Sequence, residues 1–175
     1  GNLEVTEEVR KGLDYWLDSV SYDKLHAPHY VPSEFALEFV NFIKLVNDGQ
    51  GEASPTPPFH LRMLDDLVDP SPAAQYVVNL CFRGASKTSL MVEYLALYLG
   101  VFGSLPNLGD IFGMLYVTDS MENGVKSARK NIEFRYNNSE FLKYWIPKAN
   151  FTDSYIELTN RSGKKFGMRL YGAET

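Results

Sequence analysis

The residues best suited to phosphate chemistry lie in the segment Cys81-Phe82-Arg83-Gly84-Ala85-Ser86-Lys87-Thr88. Gly84 supplies permissive backbone dihedrals, Lys87 an ammonium group and Thr88 a hydroxyl, in the order that a phosphate-binding loop requires. In such loops the lysine contacts the β- and γ-phosphates and the hydroxyl coordinates Mg²⁺. The segment therefore predicts a site for a nucleotide with β- and γ-phosphates and for Mg²⁺.

The segment departs from the usual pattern of Gly, four residues, Gly, Lys and Ser or Thr. When the pattern is aligned on Lys87, Cys81 takes the place of the first glycine and Ser86 that of the second. A second interpretation therefore stays open. In it, the segment is an ordinary turn from a strand to a helix, Ser86 caps the helix and Lys87 is solvated.

The elements around the segment favour the phosphate interpretation. Tyr76–Phe82 is uncharged and rich in β-branched and aromatic residues, as in a buried strand. A helix is predicted from Lys87 to about Val101, with apolar residues at helical spacing: Leu90, Met91, Tyr94, Leu95 and Tyr98. A strand, a turn and a helix in this order place the free amides and the positive end of the helix dipole at the turn.

A second buried strand is predicted at Ile111–Asp119, after the helix. A strand, a helix and a strand imply a right-handed crossover and a parallel pair. The predicted fold class is therefore α/β, with a parallel sheet of the P-loop NTPase type flanked by helices. Asp119 ends this strand and is a candidate for the acid on the metal side of the site.

Three further elements are predicted after Asp119. A helix from Ser120 to about Tyr136 has an apolar face of Met121, Val125, Ala128 and Ile132 and a basic face of Lys126, Arg129 and Lys130. The basic face is either a contact surface for a polyanion or simply solvated. A short helix at Ser139–Trp145 and a hairpin follow, the hairpin formed by Tyr155–Thr159 and Phe166–Tyr171 around Asn160–Gly163.

The N-terminal part is predicted to be helical. One helix covers Leu3 to about Val20 and a second begins after Ser33, its N-cap. A Gly- and Pro-rich linker at Asp48–Pro58 separates this segment, residues 1–54, from a nucleotide-binding core at residues 55–175. A short helix at Phe59–Val68 leads toward the loop. His26 and His29 lie in a loop with no third ligand nearby, which argues against a metal site.

Composition and charge exclude several classes of protein. The 175 residues are 45% hydrophobic, which is enough for a core, and the single cysteine excludes a disulfide framework and favours a reducing compartment. The net charge of −5 argues against a stand-alone DNA-binding domain, although residues 120–175 hold 10 Lys/Arg against 6 Asp/Glu. The longest apolar stretch, Leu95–Leu105, is too short to cross a membrane.

From residue 55 onward the chain resembles the N-terminal ATPase region of the large terminase subunit, the DNA-packaging motor of tailed bacteriophages. The resemblance rests on Phe82–Thr88, on Pro57-Pro58-Phe59-His60, on Tyr116-Val117-Thr118-Asp119-Ser120 and on Tyr171-Gly172-Ala173. Phosphate loops that depart from the usual pattern and carry an arginine are common in that family. The substitutions at Cys81 and Ser86 therefore fit the resemblance.

The resemblance implies a set of site residues. Arg83, Gly84, Ala85, Ser86, Lys87, Thr88 and Ser89 contact the phosphates, and Thr88 holds Mg²⁺. Arg83 and Lys87 are the catalytic candidates, since a guanidinium beside the γ-phosphate would neutralise charge in the transition state; alternatively, Arg83 pairs with a carboxylate and stiffens the loop. Independently of the resemblance, the segment Phe59–Val68 leads directly into the strand before the loop, so Phe59 and His60 are expected near the nucleotide base, unless their helix serves packing alone.

The resemblance also implies a motor that uses ATP hydrolysis to move double-stranded DNA into a procapsid in the host cell cytoplasm. Its expected partners are the portal, the small terminase subunit and further copies of itself in a ring on the procapsid, with no membrane contact. The parent protein is expected to carry a nuclease domain. No acidic pair follows Asp119, so the chain is expected to be a fragment that ends before the strand with the catalytic glutamate. Such a fragment hydrolyses ATP weakly or not at all.

Two other functions stay open at this point. A small-molecule or nucleotide kinase of the phosphate-loop class would use Asp119 on the metal side and would need a basic lid near Lys87. A non-enzymatic assembly domain with a degenerate loop would explain the missing second glycine.

Overall fold

The computed structural model describes residues 33–47, 64–65, 86–118 and 120–173, and over residues 86–90 it describes the backbone. The chain divides into two compact units, residues 1–83 and residues 84–175. The predicted helix at Leu3–Val20, the linker at Asp48–Pro58 and the strand at Tyr76–Phe82 lie outside the described residues. The boundary predicted after residue 54 lies there too.

In the first unit, helix α1 spans Glu34–Val46. The Ser33 hydroxyl accepts a hydrogen bond from the Ala36 backbone N–H at 3.1 Å, which confirms Ser33 as the N-cap. The Ser33 N–H in turn donates to the Asp65 carboxylate at 2.9 Å. Phenylalanines at positions 35, 39 and 42 are buried on α1. These rings give α1 an apolar, buried face.

The second unit begins with helix α2, Ser86–Phe102, close to the predicted limits of Lys87 and Val101. From Met91 to Val101 its described side chains are buried around the whole circumference, as expected of a central helix that is apolar on all sides. Gly100 lets the helix approach the sheet, because a Cβ there would lie 2.5 Å from Leu158 Cδ1. After α2 comes a small hairpin of β1, Ser104–Leu105, and β2, Gly109–Asp110.

The main sheet has four strands in the order β3-β6-β5-β4. They are β3 Gly113–Thr118, β4 Lys148–Phe151, β5 Tyr155–Thr159 and β6 Lys165–Gly172. Strands β3 and β6 are parallel, whereas the β6–β5 and β5–β4 pairs are antiparallel. The architecture is thus mixed helix and sheet, compatible with the α/β class, with a sheet that is not purely parallel.

Helices connect β3 to the rest of the sheet. A π-helical turn at Met121–Val125 continues into α3, Lys126–Asn137, and α4 follows at Glu140–Trp145. Val125, Ala128 and Ile132 are buried as predicted. The Ser139 hydroxyl caps α4 by accepting from the Leu142 N–H at 3.2 Å. The hairpin of β5 and β6 around Asn160–Gly163 is also confirmed.

The two faces of the sheet differ in burial. Buried side chains alternate along β5 and β6 on the face that α2 packs against: Ile156, Leu158, Phe166, Met168 and Leu170. On the opposite face Leu115 is 63% and Val117 58% exposed. The predicted burial of the strand Ile111–Asp119 was therefore wrong. Strand β3 is the edge strand on one side of the described sheet. The described helices cover the face opposite to that of Leu115 and Val117.

Candidate nucleotide site

The backbone of Ser86, Lys87, Thr88 and Ser89 forms the first turn of α2. The first amides of a helix have no partner within the helix and carry the positive end of its dipole. Four of the predicted site residues are therefore brought together at a helix start, where backbone N–H groups can bind an anion. Arg83, Gly84, Ala85 and His60 lie outside the described residues.

A buried ion pair fixes α2 against α3. The Arg135 guanidinium donates to the Glu93 carboxylate at 2.7 Å, and the Asn131 side-chain amide donates to the other carboxylate oxygen at 3.1 Å. The Glu93 side chain is 5% exposed and that of Arg135 16%. The guanidinium carbon also lies 4.7 Å from the centre of the Tyr94 ring. These contacts hold the second and third turns of the helix that begins at the candidate site.

This cluster was missed by the sequence analysis. Glu93 is the only charged residue between Ser89 and Val101, inside an otherwise apolar helix. A single acid in such a setting requires a partner, since burial of an unpaired carboxylate is costly. That signal was present in the sequence, but it does not identify Arg135 as the partner 42 residues later.

The carboxyl ends of the parallel strands β3 and β6 meet the start of the π-helical turn. The Ala173 N–H donates to the Thr118 carbonyl at 2.8 Å. A Cβ at Gly172 would lie 2.4 Å from the Met121 nitrogen, so the backbones are in direct contact there. The Ser120 hydroxyl is buried as the N-cap of this turn, accepting from the Asn123 N–H at 3.1 Å. Asp119, the predicted acid on the metal side, is outside the described residues.

The predicted basic face of α3 needs correction. Arg129 does not share an exposed surface with Lys126 and Lys130, since its side chain is 16% exposed and its guanidinium binds Glu133 at 2.9 Å. Its Nε is buried and has no hydrogen-bond partner in the described part of the chain. Glu133 lies four residues after Arg129, one helical turn away. The burial of Arg129 follows from its position beside the apolar face of the helix, which periodicity alone resolves poorly.

Lys126, the next member of that face, is also paired. Its ammonium group binds the Glu122 carboxylate at 2.7 Å across one helical turn. The hydrogen bond and the charge of Lys126 lower the pKa of Glu122 from its usual value. Lys130 remains as an exposed cation. The described part of α3 therefore presents less positive charge to solvent than the sequence predicted.

The described residues contain no group of three or more His, Cys, Asp or Glu side chains arranged to hold a metal ion. Among the same residues no helix has the length and apolarity needed to cross a bilayer. The pair His26 and His29, discounted as a metal site, lies outside them. Comparison of the chain with protein-family models, with curated proteins and with solved structures gave no match.

Proposed function

We propose that this chain is the nucleotide-binding part of a viral DNA-packaging ATPase of the large-terminase type, with a P-loop NTPase fold. The observation that carries the proposal is the start of α2 at Ser86, two residues after Gly84 in the sequence and with Lys87 and Thr88 in its first turn. This is the position that the lysine and the hydroxyl residue take in a phosphate-binding loop.

The proposed site divides the work among its residues. The amides from Gly84 to Ser89 surround the phosphates of ATP, and the Lys87 ammonium group neutralises the β- and γ-phosphates. The Thr88 hydroxyl suits Mg²⁺, a hard cation that prefers oxygen ligands. In this proposal Arg83 stabilises charge that develops on the γ-phosphate. In this proposal the whole protein has three partners: double-stranded DNA, the portal and the small terminase subunit. Copies of the protein assemble as a ring on the procapsid in the host cytoplasm.

Calorimetric titration of the chain with MgATP tests the site. We expect measurable binding that Lys87→Ala weakens at least about tenfold, since a hydrogen bond to a charged group contributes about 1.5–3 kcal/mol. Lys130→Ala is the matched control, because it removes one exposed lysine from α3 in the same unit. Equal weakening by both substitutions, or no binding by the parent chain, would refute the proposed site and favour an assembly domain.

Measurement of ATP hydrolysis tests the proposed motor function. A longer protein that continues beyond Thr175 is expected to show ATPase activity stimulated by double-stranded DNA and abolished by Lys87→Ala. Arg83→Ala separates the two roles of the arginine: a catalytic Arg83 lowers kcat with little change in nucleotide affinity. Transfer of the γ-phosphate to a small acceptor instead of water would identify a kinase and overturn the motor proposal.

A further inference from the structure

Two exposed aromatic rings at the C-terminal end of α4 lie beside an arginine from the turn between β5 and β6. We call this group the aromatic–arginine surface; it consists of Tyr144, Trp145 and Arg161. Tyr144 is 54% and Trp145 40% exposed. Their rings are perpendicular, with centroids 5.0 Å apart, and the Phe141 ring lies edge-on to Trp145 at 6.5 Å. Large aromatic side chains thus face solvent in a defined mutual arrangement.

The backbone and the side chain of Arg161 are both bonded to the end of α4. Its Nε donates to the Tyr144 carbonyl at 2.7 Å, and its backbone N–H donates to the Trp145 carbonyl at 3.1 Å. The guanidinium carbon lies 3.8 Å from the centre of the Tyr144 ring. The N–H groups on the two terminal nitrogens of this guanidinium have no acceptor among the described residues. They are therefore available to a ligand.

The turn that carries Arg161 is fixed to the C-terminal end of α2. The Asn160 side-chain oxygen accepts from two backbone N–H groups of the same turn, both at 3.0 Å. Its amide nitrogen donates to the Val101 carbonyl at 3.1 Å. Since α2 has 17 residues and rises by about 1.5 Å per residue, this contact lies roughly 20 Å from the start of the helix at Ser86. The surface is therefore preformed and separate from the candidate nucleotide site.

The cations around this surface are uncompensated. Arg161 and the exposed Lys148, which lies opposite Thr159 where β5 leads into the turn, have no carboxylate within ion-pair distance among the described residues. Lys143 on α4, in contrast, is paired with Glu140 at 3.1 Å. A ligand that complements this surface carries negative charge, and a carboxylate matches the parallel N–H groups of a guanidinium.

The size and composition of the surface indicate a short peptide. Tyrosine, tryptophan and arginine are the side chains that most often dominate protein–protein binding energies. Three side chains are nevertheless far fewer than the roughly 20–30 residues that each partner contributes to a standard interface. A second copy of this unit is also a poor match in charge, since residues 84–175 hold 11 Lys/Arg against 9 Asp/Glu. Nucleic acid is a poor match because its affinity depends on many cations that contact phosphates.

We propose that the aromatic–arginine surface is a docking site for a short acidic peptide segment of another protein. A carboxylate of the peptide accepts two hydrogen bonds from the terminal nitrogens of Arg161, and an apolar or aromatic side chain beside it packs on Trp145. The Tyr144 ring fixes the position of the guanidinium. This docking does not depend on the proposed ATP site, which lies at the other end of α2.

Selection of peptides from a displayed random library, each about ten residues long, tests the chemistry of the ligand with the whole chain as target. We expect enriched peptides that place Asp or Glu next to an aromatic or aliphatic residue. We also expect these peptides to be lost when the target carries Arg161→Gln. Absence of enrichment, enriched peptides without acidic residues, or the same acidic peptides on the Arg161→Gln target would each overturn the proposal.

Fluorescence anisotropy of the most enriched peptide then gives dissociation constants. Arg161→Gln is expected to raise the dissociation constant at least about tenfold, because it removes a charge-assisted pair of hydrogen bonds. Tyr144→Ala is expected to raise it by a similar factor, whereas Tyr144→Phe, which keeps the ring, stays within about threefold of the parent. The matched control is Arg169→Gln, which removes an exposed arginine whose guanidinium carbon lies 5.2 Å from the centre of the Tyr155 ring on the sheet.

Further controls separate binding from folding and from other ligands. Circular dichroism checks that each variant is folded, and Arg161→Lys, which keeps the charge but loses the planar fork, replaces Arg161→Gln if that variant fails to fold and is expected to weaken binding as well. Equal weakening by Arg161→Gln and Arg169→Gln would overturn the proposal. So would displacement of the peptide by a single-stranded oligonucleotide at a lower concentration than by unlabelled peptide, which would assign the surface to nucleic acid. The assays contain no ATP, so they fail or succeed independently of the proposed ATP site.

Discussion

Arg135→Met is expected to destabilise the second unit strongly, since it removes a cation that is paired with a buried carboxylate. Methionine keeps an apolar stem of similar length. Of the two side chains described above as partners of Glu93, Arg135 and Asn131, the variant keeps only the neutral Asn131 amide. The Glu93 side chain is 5% exposed. Breaking a buried ion pair from one side costs about 3–5 kcal/mol. That is a large fraction of the roughly 5–15 kcal/mol that stabilises a typical domain.

A double substitution distinguishes charge from packing. Glu93→Gln combined with Arg135→Met removes both charges, so we expect the double variant to be more stable than Arg135→Met alone. The control is Lys126→Met, which breaks a pair with Glu122 in which the two side chains are 51% and 78% exposed. Exposed pairs contribute about 0–1 kcal/mol. The comparison therefore keeps the helix and the introduced methionine the same and varies the burial of the ion pair.

Urea unfolding followed by circular dichroism measures these free energies, and the slopes show whether all variants unfold in the same way. Trp145 fluorescence gives a second probe within the second unit. Two results would refute the reasoning. One is an Arg135→Met variant that loses no more stability than Lys126→Met. The other is a double variant as unstable as Arg135→Met, which would show that lost packing and not the loss of the Arg135 charge sets the cost.

Two further predictions concern β6 and α3. Gly172→Ala is expected to lower the free energy of unfolding by more than about 2 kcal/mol, because the new Cβ would lie 2.4 Å from the backbone nitrogen of Met121. The control is Gly163→Ala, where no atom lies within 4 Å of the new Cβ and only the strain of a positive φ is added. A Gly172→Ala variant as stable in urea as Gly163→Ala would contradict this prediction. The pKa of Tyr136 is raised by burial, and its hydroxyl donates to the Ile146 carbonyl at 2.7 Å. The folded state therefore holds this proton more tightly, so the stabilisation is complete below pH 10 and is lost as the pH rises through the higher folded pKa. The stability difference between the parent and Tyr136→Phe should shrink from pH 8 to pH 11, and a constant difference would argue against it.

Local patterns determined many of the described elements. Ser33 and Ser139 each precede an acidic residue and a helix, and both hydroxyls cap the helix that follows, because capping depends on the side chain and the backbone within one turn. Alternation around Asn160–Gly163 was enough to predict the β5–β6 hairpin, since both strands are joined by a short turn. The first turn of α2 also begins one residue from its predicted start, which places the backbone of Lys87 and Thr88 at a helix N-terminus.

By itself, the sequence determined the residue types of the candidate loop, the start of α2 and the apolar face of α3, because each depends on neighbours within a few positions. The tertiary structure decided what depends on distant partners. It made β6 the parallel neighbour of β3, left Leu115 exposed on the outer face, and buried Glu93 against Arg135. Hydrophobic periodicity specifies which residues prefer burial, whereas strand order and the side of the sheet that helices cover are set by the packing of the whole unit.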